Sequence, residues 1–293
     1  MSNDQLRKYD LLLKGGRLID PASDRDGQFD VATSGGHIAF VDKDISPNLA
    51  RTVADVSGLI VTPGLVDLHA HFYGYAASIL PDAHCLPEGT TTAVDAGGSG
   101  HLTFDDFNEQ IIAPAITNVF ALLNIAGEGM VGEPEQDLDG MDTELTALKI
   151  AQRPDLIVGV KVAHYMGPGW EPLDRGIQAA EENGVYLMVD QSPIHTRPMD
   201  EMMLEHLRPG DMVTHCYALS KPMTDIHDKV KPLFRLVSAA CNSMSGTVLA
   251  VSLSGSQKLR SNRDFCPIPF QQICTEQAFW QIKRRCPKPC QNY

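Results

Sequence analysis

Three short stretches of this chain carry side chains suited to divalent-metal chemistry. The first is His69-Ala70-His71. On an extended segment, residues two apart project to the same side, so both imidazoles can grip one ion, although solvent-exposed or core histidines would read the same way. The second is Lys161, near the end of the apolar run Ile157 to Val162. A lysine there either snorkels to the surface, pairs with a buried carboxylate, or is N-carboxylated, which turns a cation into a bidentate anion able to bridge two ions. The third is His215, which closes the run Asp211 to His215 and is either a further ligand or a satisfied core histidine. Asp190, after Val185 to Val189, is a candidate oxygen ligand or a helix N-cap. Asp95 could orient a ligand histidine from behind. His164, Tyr165 and Trp170 lie in a Gly- and Pro-rich segment, VAHYMGPGW, and with Tyr73 they are candidates to line a substrate pocket or to pack as ordinary loop residues.

These groups need elements that bring them to one place. Six apolar runs, near 64–68, 91–94, 119–123, 157–162, 185–190 and 211–215, read as parallel strands buried on both faces. Amphipathic stretches at 104–112, 142–152, 173–183 and 199–207 lie between or after them. A strand-then-helix repeat whose strands end in polar groups predicts an α/β fold, a (β/α)8 (TIM) barrel with its chemistry at the C-terminal strand ends. A doubly wound open sheet is the competing class, but no GxGxxG follows an early strand. Residues 11–62, with short apolar runs broken by Gly, Asn and Asp, read as a small β unit of structural purpose.

The 293 residues suffice for one large domain with a small appendage, and 43% hydrophobic with 21% charged residues is an ordinary globular composition. A net charge of -13 repels polyphosphate, so no nucleic-acid partner is expected. The polar first ten residues and the lack of a long apolar run predict no membrane span and a cytoplasmic location. Seven scattered cysteines do not form a disulfide framework.

The text LLLKGGRLIDP, VTPGLVDLHAHFYG, EGTTTAVDAGGSG, VGVKVAH and RPGDMVTHC resembles the amidohydrolase superfamily, in particular its dihydroorotase-like and deacetylase-like branch. The resemblance covers residues 11 to about 235. It implies a (β/α)8 barrel with a flanking β-sandwich, Zn²⁺ as one or two ions, His69 and His71 on the more buried metal, Lys161 as the carboxylated bridge and His215 on the second metal. Many members have a histidine where this chain has Asp190, which either replaces that ligand through oxygen or leaves the second site weak. The family also uses an aspartate after strand eight to bind metal and handle the proton of the attacking water. No residue here occupies that context.

The end of the chain differs in kind from what precedes it. Residues 236–293 hold two acidic and seven basic residues, whereas residues 1–235 hold 35 acidic and 17 basic. Their net charges are thus +5 and -18, and the tail lacks clear period-two or helical patterning. In the family resembled, strands seven and eight typically read like FDVGHG and STDLH. Read from the third base of its first codon, with suitable synonymous third bases, Asn242 to Val248 (NSMSGTV) spells FDVGHG. At the same offset Phe265 to Thr275 (FCPIPFQQICT) spells LPDSISTDLH. The expected organisation is therefore the start of a β-sandwich in 1–62, barrel strands one to six in 63–235, and an aberrant tail after a frameshift near Lys231 to Arg235. Open strand edges in such a product predict poor solubility or homo-oligomers.

The expected activity is metal-dependent hydrolysis of an amide or ester in a small N-acyl amino acid-like substrate. The alternatives are a cyclic amidase of dihydroorotase type and a noncatalytic remnant without the strand-eight aspartate.

Overall fold

The computed structural model describes residues 7–190, 205–208, 210–214 and 248–250. They fall into two units, one taking the chain up to Gly64 and one running from Leu65.

The first unit is a mixed five-stranded sheet. Strand β1 (Tyr9–Asp20) pairs antiparallel with β2 (Arg25–Ser34) and parallel with β4 (Ala50–Asp55) and β5 (Ile60–Val61), while β3 (His37–Asp42) pairs antiparallel with β2. Gly35 and Gly36, both at positive φ, make the tight β2–β3 turn that other residues resist. Asp30 is buried and accepts hydrogen bonds from Gly15 N, Ile45 N and Lys14 Nζ, each at 2.8 Å, which ties three segments of the unit to one carboxylate.

The second unit is an open (β/α) barrel, incomplete among the described residues. Its strands are β6 (Leu65–Ala70), β7 (Thr90–Gly100), β8 (Asn118–Asn124), β9 (Ile157–Val162), β10 (Tyr186–Val189) and β11 (Met212–Thr214). They pair in sequence order and all parallel. A doubly wound sheet reverses its strand order at a switch point, so this steady progression identifies a barrel wall. All six runs read as strands from the sequence are strands here.

The helical layer is assembled from α1 (Pro81–His84), α2 (Phe104–Phe107), α3 (Thr143–Gln152) and α4 (Glu171–Asn183). The predicted helix over 104–112 divides: α2 continues as one π-helical turn, Asn108–Ile112. Asp142 caps α3 by accepting from Leu145 N at 2.8 Å, and Gly184 ends α4 in the left-handed conformation. Phe104, Phe107, Leu123, Ile150, Ile157, Leu173 and Leu187 are wholly buried between the strands and these helices. Most of the stretch read as helical over 199–207 lies outside the described residues.

Two features set the late wall. Asp211, fully buried, accepts from Leu187 N at 2.8 Å and from Arg208 Nε and Nη2 at 3.0 and 2.8 Å, which fixes β11 beside β10. Beyond it, β12 (Val248–Ala250) pairs antiparallel with β11. A strand in this tail is not apparent from the sequence, and its direction differs from that of a barrel strand, which would run parallel to its neighbour.

Candidate functional site

The C-terminal ends of β6 to β10 collect most of the residues singled out by type and spacing. His69 lies within β6 and His71 just beyond it, and their ring centroids stand 5.4 Å apart in an edge-on arrangement. The chain after His71 is held by Asp95 of β7, whose carboxylate accepts from Phe72 N at 2.7 Å and Gly98 N at 2.6 Å. Asp95 therefore steadies the histidine segment through its backbone. Burial pushes its carboxyl up to about 6 despite those donors.

Lys161 faces the barrel interior from the penultimate position of β9, in register with Asn124 of β8 and Met188 of β10. It is 0% exposed, and its Nζ has no hydrogen-bond partner among the described residues. Burial lowers the amine to about 8, against the opposing pull of Asp190, Asp95 and Glu135. Room for its stem comes from Gly97: a Cβ there would stand 2.5 Å from Lys161 Cγ, and its φ of +92° also favours glycine.

His164 follows β9 in the left-handed region, at φ 56°. Its Nδ1 lies 3.2 Å from the Glu135 carboxylate and its Nε2 3.3 Å from Asp190 Oδ2. These two carboxylates raise the imidazole to about 9, overcoming its partial burial. Tyr75 stands between the two halves of the site, its ring 4.9 Å from that of His71 and 6.4 Å from that of His164.

Of the pocket candidates, Tyr73 packs on Phe107 at 5.2 Å between centroids, Tyr165 is buried in the core, and Trp170 packs against the core and lies 5.0 Å from the His206 ring. His215 lies outside the described residues. Glu135 and Tyr75 are the residues that sequence reasoning missed. Tyr75 sits four after His71 in HFYGY, a proximity that could have drawn notice, whereas Glu135 lies in a single 3-10 turn, Glu133–Gln136, too short to show a periodicity.

The side chains present suit a divalent ion as part of a set: two imidazoles at the end of β6 and, once carboxylated, a buried lysine whose amine has no hydrogen-bond partner among the described residues. Among the described residues no group of three His, Cys, Asp or Glu side chains is placed to hold an ion. None of the described helices is long and apolar enough to cross a membrane.

A parallel β/α wall with histidines at its first strand tip and a buried lysine at its fourth relates the chain to the amidohydrolase superfamily. Comparison with known proteins agrees. The chain is 33% identical over 192 residues to a deacetylase of Agrobacterium fabrum, covering 62% of this chain and 47% of that protein. Among solved structures it matches an adenine deaminase at TM-score 0.66 and 30% identity, covering 77% of this chain and 62% of the other. It matches a dihydroorotase at TM-score 0.66 and 29% identity, covering 78% and 63%. The chain thus spans about half the length of the curated deacetylase. No family model matches it.

Proposed function

We propose that the site serves hydrolysis of a carbon–nitrogen bond in a small cyclic amide, the dihydroorotase-type reading. The observation that carries it is Lys161, a wholly buried amine at a barrel strand tip whose Nζ has no hydrogen-bond partner among the described residues. Support for the substrate class comes from the two structural likenesses at TM-score 0.66, proteins named for small nitrogen-containing rings. The likeness to a deacetylase favours a second reading, release of an acyl group from an N-acyl amino acid-like substrate.

In this reading His69, His71, Lys161 and His215 would hold one or two divalent ions, with zinc the first candidate. A bound ion supplies Lewis-acid activation of a carbonyl and of water near neutral pH. An amine lowered to about 8 is partly neutral at physiological pH, as addition to CO₂ requires; the addition forms an N–C bond, releases a proton and leaves a carbamate. Asp95 keeps the backbone beyond His71 in place while the site is loaded. The location is proposed to be cytoplasmic and the partner a small molecule.

The test is turnover by the full chain supplied with zinc and bicarbonate. Faster hydrolysis of a dihydroorotate-like ring than of N-acetyl amino acids supports the cyclic-amide reading, and the reverse preference supports deacylation. A chain that takes up zinc and turns over neither class is the noncatalytic remnant.

We further propose that residues 236–293 are read from a displaced frame. The reversal from -18 to +5 and the two displaced motifs support this, as does the antiparallel direction of β12. The nucleotide sequence beyond codon 235 tests it: the displaced frame should stay open through both motifs, and a stop between them overturns the proposal.

A further inference from the structure

The loop after β8 grips the loop after β9 at His164 by two adjacent side chains. Gln136 Nε2 donates to His164 O at 2.8 Å, and Gln136 Oε1 accepts from Met166 N at 2.8 Å, so one amide clasps the backbone on both sides of Tyr165. Glu135, only 2% exposed, meets the ring at Nδ1 and is itself held by Gly132 N at 3.3 Å. Arg175 of α4 braces the same loop by donating to Leu138 O and, at 2.9 Å, to Met141 O. Backbone and ring of His164 are thus fixed from one side, and Nε2 is aimed at Asp190 on the other.

We propose that His164 is a positioning residue, set by Glu135 and Gln136, that keeps the Asp190 carboxylate as its own ion-pair acceptor rather than as an oxygen ligand of a metal. This rests on the metal reading above and deepens it. Among the described residues the metal side of the mouth is then built from the tips of β6 and β9, and the strand tip after β10 belongs to a Glu135–His164–Asp190 array. Two carboxylates facing the two nitrogens of one imidazole form a chain of charge-assisted hydrogen bonds, and a carboxylate so engaged is a poorer ligand than a solvated one.

The experiment uses the full chain with ¹⁵N-labelled histidine, recorded with and without zinc, while calorimetry reads zinc uptake separately. The His164 signal, assigned by its loss in H164Q, should show protons on both ring nitrogens at neutral pH. It should shift in both E135Q and D190N, and it should persist when zinc is added. Zinc stoichiometry in D190N should equal that of the parent chain.

A His164 signal with one bare nitrogen overturns the inference, as does collapse of the signal on zinc addition. Loss of a zinc equivalent in D190N does so too. If calorimetry shows no zinc uptake, the metal reading fails, while a doubly protonated His164 sensitive to both variants still supports the array. E135D, which keeps the charge, should return toward its parent position the signal that E135Q shifts, an outcome that a purely space-filling role for Glu135 would not produce.

Discussion

Strands β6 and β9 belong to one barrel wall and both end in residues singled out by type and spacing, yet they bury those residues to different degrees. β9 lies between β8 and β10, and all but one of its residues are buried. Among the described residues β6 ends the strand order with β7 as its paired neighbour, and Leu65 at its start is 44% exposed. The same (β/α) pattern therefore yields a dry position, where burial alone lowers Lys161 to about 8, and a wetter one holding His69 and His71. What a strand-end residue can do depends on how many neighbours flank its strand, as much as on its type.

The largest test of this contrast is stability. Leu187→Ala, at a wholly buried position of β10, should cost about 2–5 kcal/mol, whereas Leu65→Ala should cost less than about 1 kcal/mol, both by denaturant titration. Equal costs would break the contrast. Next comes Gly97→Ala, which forces a Cβ onto the Lys161 stem and should lose about 1–3 kcal/mol, read in the same titration.

The array at His164 gives a pH-dependent effect. Its imidazole is raised from 6.5 to about 9, so the stability contributed by Glu135 and Asp190 is fully present below pH 6.5 and is lost as pH rises through about 9. Tm should fall across that window in the parent chain and much less in H164Q. The smallest effect belongs to the first unit. Arg17 and Asp26 pair at 2.7 Å but are both more than half exposed, so Arg17→Ala should change stability by no more than about 1 kcal/mol.

Much of this architecture was legible in advance because burial on both faces writes continuous apolar runs, as in Val119 to Leu123 and Ile157 to Val162. The same local rule placed His69, His71 and Lys161 at strand ends. Nothing local marks Glu135: it reaches His164 only because the loops after β8 and β9 lie side by side, a long-range fact absent from either segment. His164 reads from its Gly- and Pro-rich segment as a pocket-lining residue, and its fixed place between two carboxylates depends on Asp190 arriving from a third strand tip. β12 escaped notice because three residues are too few to show a period.

Anomalous X-ray scattering at the zinc edge, from crystals of the full chain grown with zinc and bicarbonate, tests the metal reading most directly. The account predicts a peak bonded to imidazole nitrogens of both His69 and His71, with extra density on Lys161 Nζ. A folded barrel whose mouth shows no peak, or a peak that neither histidine touches, would contradict it.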